Sequence, residues 1–395
     1  MRCGIRQCLA WLTCALVLTG GCGGGDPWEK TREAAFAATQ DGRPEDAEAL
    51  FRQALELAEK GGNEDPRLSR SLDDLAEFHL AVDQVESALP LFERELEILE
   101  RSPTADPTAL ATSYNRVALL YQGLGKVQRA LELYELALQA LRREDEPDPT
   151  TLVATLNNLA LLSYLQGDLT GARDHFEFSI GVIEENYPAD HADLAVTYNN
   201  LAQVYRALGE PARSEELFRE ALRLTVANTG VDSLRSARAK NNLAELLHRQ
   251  GNDPEAEELH SEALAVLETR LGGDDPEVAT TLNNLAIVYR AGGRLDEAEA
   301  AYRRAVEILE EASPGHPDLG AVLFNLARLY TGQQRYADAE PLLERCLTVY
   351  DDALGLDHPN SVAVVKAYAE VLERTGRPSE ADALRSRTGD SRPEN

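Results

Sequence analysis

Beyond its first 22 residues the chain has a single cysteine, Cys346. A disulfide framework is thereby excluded, as is a zinc site built on cysteines. Base is scarce as well: 39 Lys+Arg face 68 Asp+Glu, for a formal net charge of −29. Such a surface repels phosphate backbones, so nucleic acid is not expected as a partner. It also repels anionic lipid headgroups, so membrane contact is expected only through an anchor. Long apolar runs are missing. The most apolar stretch, Leu9–Leu18, is roughly half of what a spanning helix needs. Catalytic signatures are missing too: there is no His-Glu-x-x-His, no Walker loop and no Gly-x-Ser-x-Gly. The seven histidines do not cluster in sequence. No catalytic residue, metal or cofactor is therefore expected, and no enzyme. The abundant carboxylates read as solvated helix faces.

What is present begins with a leader. Arg2 and Arg6 precede the short apolar stretch, and Leu18-Thr19-Gly20-Gly21-Cys22 follows it. Charge, length and small residues before a thiol resemble a bacterial lipoprotein signal, with Thr19 standing where the family usually has Leu. The resemblance implies a signal peptide over 1–21 and lipidation at Cys22. Residues 22–30, starting with a glycine run, are expected to form a flexible lipidated tether. The implied location is the extracytoplasmic face of a bacterial cell envelope, with membrane contact through the N-terminal lipid alone.

From residue 31 the chain repeats every 41–42 residues. Asn-Asn-Leu-Ala stands at 157–160, 199–202, 241–244 and 283–286, with degenerate copies on either side. A glycine follows most copies seven residues later (Gly125, Gly167, Gly209, Gly251), and a small residue five beyond it (Ala130, Ala172, Ser214, Ala256). Apolar groups at i, i+1 and i+4 before the glycine predict one helix, A. The glycine ends it by taking a positive φ. The small residue opens a second helix, B, with an aromatic four later and another small residue after that. Cys346 falls in this last column, which predicts a core residue. His260 falls in the aromatic column. His191, His316 and His358 fall in turns between repeats. Asp-Pro or His-Pro pairs in those turns are suited to cap helix A. At Ala192 and Leu234 the proline is missing, and local irregularity is expected there.

The pattern Leu-Ala-x-x-Tyr followed by Ala-x-x-x-Phe resembles the tetratricopeptide repeat (TPR). Its longer period, the Asn-Asn-Leu-Ala string and the Asp/His-Pro turn resemble the kinesin light chain type. HEAT and armadillo repeats share the period but not the glycine-to-small-residue register. The resemblance implies an all-α TPR solenoid, a right-handed superhelix of about nine antiparallel helix pairs over 31–387. Residues 388–395 form a polar tail expected to be disordered.

The resemblance further implies a concave groove lined by the A helices, able to bind protein or extended peptide segments. In the family's orientation the first Asn of each string faces it: Asn115, Asn157, Asn199, Asn241 and Asn283. An amide offers two donors and an acceptor to a peptide backbone. The second Asn, rotated by about 100°, is assigned to bonds between helices. Seven residues past the first Asn, Tyr164, Arg206, His248 and Arg290 return to the same stripe, joined by Arg238, Arg249 and Arg328. The early wall is apolar (Leu119, Leu161, Tyr164, Leu165) and the later wall basic. A ligand with an apolar anchor and an acidic stretch or free carboxylate would suit it. Two readings compete with this one: last-turn bases are also favoured by the helix dipole, and Glu245 intrudes on the stripe. A membrane-anchored interaction scaffold is the leading expectation. The alternative is a structural lipoprotein of an envelope or secretion complex that uses its convex face.

Overall fold

The computed structural model describes residues 26–62 and 65–387. Cys22, the rest of the leader and the 388–395 tail lie outside the described residues. Those described contain eighteen helices and no strand. Odd-numbered helices are the A helices: α1 (Pro27–Gln40), α3 (Pro66–Ala81), α5 (Pro107–Gly123), α7 (Pro149–Leu165), α9 (Ala192–Ala207), α11 (Leu234–Arg249), α13 (Pro276–Ala291), α15 (Pro317–Gly332) and α17 (Pro359–Arg374). Even-numbered helices are the B helices: α2 (Pro44–Glu59), α4 (Val85–Arg101), α6 (Val127–Leu141), α8 (Leu169–Asn186), α10 (Pro211–Thr229), α12 (Asp253–Leu271), α14 (Leu295–Ala312), α16 (Tyr336–Leu354) and α18 (Pro378–Ser386). Each A helix packs chiefly on its own B helix, and within each of the chain's two compact units each B helix packs on the next A, giving an all-α solenoid fold of nine helix pairs among the described residues.

The chain divides into two compact units, one ending at Tyr187 and the other beginning at Pro188. Within the first, α5 packs against α7. Within the second, α11, α13, α15 and α17 pack each against the next. This extra contact makes the A layer the tighter one in each unit and puts it on the inner side of the stack.

The repeat columns explain the packing. Ala88, Ala130, Ser214, Ala298 and Ala339 are fully buried, because helix B crosses helix A there with no room for a larger group. Phe92, Tyr134, Phe218, His260 and Tyr302 fill the aromatic column and are also buried. Full burial of one such ring contributes about 1.5–3 kcal/mol. Cys346 is buried as expected; its thiol donates to the Gly320 carbonyl at 3.1 Å, and desolvation pushes its pKa up to about 12. At the end of helix A the glycine register takes positive φ, as at Gly251 (83°). In the two copies without glycine, Asp83 (62°) and Gln334 (61°) are held in the same conformation, which costs a non-glycine residue about 1–2 kcal/mol.

Caps set the start of each A helix. Asp106 and Asp148 accept from backbone N–H groups three residues on, at 3.0 and 2.7 Å. Two expectations change here. At Leu234 the junction without proline stays regular, Ser233 Oγ accepting from the Ser236 N–H; at Ala192 His191 Nδ1 accepts from the Asp193 N–H, but the boundary between the two units falls just before it, at Tyr187/Pro188. His316 and His358 cap in the same way, so the turn histidines act as hydrogen-bond acceptors. The expected tether also ends earlier than residue 30. Asp26 caps α1, and Trp28 in its first turn is buried, donating from Nε1 to Ser71 Oγ at 2.8 Å.

Candidate functional site: the wall of A helices

The wall of the second unit is bonded across its width. Asn242 donates to Asn199 at 2.8 Å, and Asn325 to Asn283 at 2.9 Å. These second asparagines bridge neighbouring A helices, as assigned. The first asparagines, read from the sequence as groove donors, take part in the same bridging. Asn199 and Asn283 are the acceptors in those two bonds. Asn241 donates to Thr281 on α13 at 2.8 Å, and its carbonyl accepts from His260 Nδ1 at 2.8 Å. Burial lowers the His260 pKa to about 4, so the ring is neutral and its Nδ1 carries the proton. In the first unit Asn115 donates to Thr155 on α7 at 2.7 Å, and Asn157 is half-buried. The amide column thus helps to tie A helix to A helix. Rotation by one residue does not free it, because the neighbouring helix lies within reach of either position.

The expected basic stretch is largely neutralised. Arg206 reaches Glu245 on the next A helix at 2.6 Å, and Arg249 reaches the same carboxylate at 3.0 Å. Arg238 forms a two-pronged pair with Glu277 at 2.6 and 2.8 Å. His248 bonds Asp253 at 2.7 Å. Glu245, which looked like an intrusion, is therefore the counter-charge of the stripe. Arg290 and Arg328 differ, since neither has a carboxylate partner among the described residues. Arg290 keeps its Nε buried without a hydrogen bond. Arg328 is exposed and lies over the Phe324 ring at 5.9 Å.

The wall of the first unit combines an apolar and a charged part. Leu161 and Leu165 on α7 are 37% and 64% exposed, with Tyr164 half-buried between them. Toward the N-terminus a charged cluster replaces the apolar surface. Arg116 on α5 bonds Asp73 on α3 and lies 3.7 Å from both Glu77 and Glu95. It also stacks on Phe92 at 5.0 Å. Glu95 is buried and its Oε2 has no hydrogen bond. Desolvation, and then repulsion from Asp73, push its pKa up to about 7 against the pull of Arg116. Sequence reasoning missed this cluster. The signal was there, since Glu95 stands where the B helices carry their second small residue.

Bonded amides, paired charges and a few solvent-facing groups form a surface suited to holding a chain segment. The architecture is that of a repeat-built interaction scaffold. Tetratricopeptide repeat models match residues 30–101, 151–225, 235–311 and 314–384, with further matches at 110–144 and 199–265. The chain belongs to the tetratricopeptide repeat family, whose fold generally serves protein interaction. Among solved structures it is similar to BtubC (BKLC) from P. vanneervenii, at 29% identity and a TM-score of 0.52 over 58% of this chain and 92% of that one. It is similar to a putative kinesin light chain of Podospora anserina with nearly identical TPR-like repeats, at 23% identity and 0.44, over 50% and 94%. It also shares the fold of the apo quorum sensor NprR from B. thuringiensis, at 12% identity and 0.66, over 92% and 97%. No curated protein sequence matches it significantly.

Proposed function

We propose that the chain is a membrane-held scaffold whose A-helix walls bind extended segments of other proteins. Exposed apolar side chains at Leu161 and Leu165, beside half-buried Tyr164, carry the reading. They lie on the inner layer of the first unit, where an apolar anchor of a ligand would be shielded from water. Short extended peptides displayed as an array test it. The full chain is expected to bind a subset that carries an apolar residue, and a Leu161→Asp, Leu165→Asp variant is expected to lose them. Unchanged binding by that variant would remove the anchor from this site.

The anchor itself rests on the Cys22 signal, with the protein facing outward in a bacterial envelope. A Cys22→Ser variant should leave the membrane fraction, and one that still partitions with membranes refutes lipidation. A second reading, a structural lipoprotein of an envelope or secretion complex, is favoured by one observation. Phe178 on α8, a B helix, is 50% exposed. Loss of assembly from Phe178→Ser, with peptide binding intact, would support that alternative.

A further inference from the structure

On the outer layer of the second unit a groove lies between two B helices. Residues of α16, α17 and α18 enclose about 450 Å³ there, many times the ~30 Å³ that one water takes up in the liquid. Its floor is apolar. Leu347, Leu372 and Leu384 are buried, and Tyr368 is half-buried. Its rim is acidic, with Glu344, Asp351 and Asp352 on α16 and Glu380 on α18 against one base, Arg387. Arg387 lies 3.5 Å from Asp351, and Glu380 pairs with Arg377 at 2.7 Å. Glu344 and Asp352 are exposed and have no ion-pair partner among the described residues.

The repeat register shows what is unusual in this groove. Glu344 stands five residues past the small residue of its B helix, Ala339, and Glu380 stands one before the next, Ala381. On α10 and α12 the same two places hold Arg219 and Glu255, which bridge the helices at 2.7 Å. A base–acid bridge has become two acids lining one groove. Their field reaches Tyr368. Desolvation first, then the charges of Glu344 and Glu340, raise the pKa of its phenol; Arg377 opposes them and Glu380 adds to them. Like charges around a partly desolvated space repel, and a cation between them relieves the repulsion. An apolar floor within an acidic rim suits a group that is apolar along its length and positive at its tip.

We propose that this groove docks a lysine or arginine side chain from a basic segment of a partner protein. Both side chains lay a hydrocarbon stem on apolar surface and keep a charged head in water. The stem would cover Leu347 and Leu384, and the head would pair with Glu344 and Asp352. The Tyr368 ring adds attraction for the cation. Other occupants match the groove less well. Residues 388–395 bring two side-chain carboxylates and one base, and a second copy brings a net charge of −29. The site stands apart from the A-helix walls and does not depend on what they bind.

The test measures binding of a short peptide of alternating Lys and Leu to the full chain, by fluorescence anisotropy at low salt. Two control peptides replace each Lys, one with Glu and one with diaminopropionate, which keeps the charge and shortens the stem. The Lys peptide should bind about ten-fold more tightly than either. Glu344→Gln, Asp352→Asn should weaken it about five-fold. Removing two exposed acids from the first unit, by Glu45→Gln, Glu56→Gln, should leave it unchanged. Thr348→Trp, at an exposed residue of the groove, should also weaken it by filling the space. No binding, equal binding of the diaminopropionate peptide, or equal losses from the two acid-to-amide pairs each overturns the site. Tighter binding after Arg392→Gln would give the groove to the chain's own tail. Self-association abolished by Glu344→Gln, Asp352→Asn would give it to a second copy. Either result overturns the partner.

Discussion

Replacing Glu95 with Gln isolates the energetic cost of the charged cluster in the first unit. Glu95 is buried at a place the other B helices fill with small residues, and its pKa is pushed up to about 7 from an ordinary 4.5. Between those pH values the unfolded chain has released the proton and the folded chain has kept it. Stability must therefore fall as pH rises through that window. A displacement of that size costs about 3 kcal/mol once the group is ionised, at 1.36 kcal/mol per pH unit. Glu95→Gln keeps the shape and removes the ionisation. The pull of Arg116 is already contained in that displacement, so the net benefit expected above pH 7.5 is about 3 kcal/mol, falling to near zero at pH 4.5. Urea denaturation of both proteins at pH 4.5, 6 and 8 measures it, with amide exchange in α3 and α4 reporting the local effect. The difference between the two proteins cancels the other titrating groups. A benefit independent of pH, or a variant less stable at pH 8, would refute the reasoning.

Three further outcomes follow from the packing. Asn241→Ala should cost about 2 kcal/mol in urea denaturation, because it strands the His260 Nδ1 proton; a silent substitution would show that the amide is not a helix tie. Asp83→Gly and Gln334→Gly should each stabilise by about 0.5–1 kcal/mol, since positive φ is relieved and glycine's own chain entropy offsets only part of the gain. Gly320→Ala should destabilise by about 1–3 kcal/mol, because its Cβ would fall 2.4 Å from the Tyr350 ring; an unchanged midpoint would mean that the ring moves aside freely.

The fold was legible because each repeat solves one packing problem with the same residue types. Ala298, Tyr302 and Ala305 repeat the chemistry of Ala130, Tyr134 and Ala137, so period and register could be read without coordinates. The wall was harder to read. Whether Arg206 is a free base depends on a residue 39 positions away, and Arg238 finds its partner at the same spacing. A search for opposite charges at that interval would have found both pairs and left Arg290 and Arg328 unmatched. The bonds of the asparagines were hidden for a related reason. Side-chain direction on one helix does not reveal that the next helix lies close enough to bond. Glu95 was visible only as a gap in a column of small residues, which reads as tolerance until burial shows its cost.

The central claim is that ligands lie on the A-helix side. Site-specific photo-crosslinking of the full chain in bacteria tests it most directly, with benzoylphenylalanine placed at Leu161 on the wall or at Phe178 on the outer B face. The account predicts adducts from the Leu161 position, mapping to an extended segment of the captured protein, and few or none from Phe178. Adducts from the Phe178 position alone would contradict it.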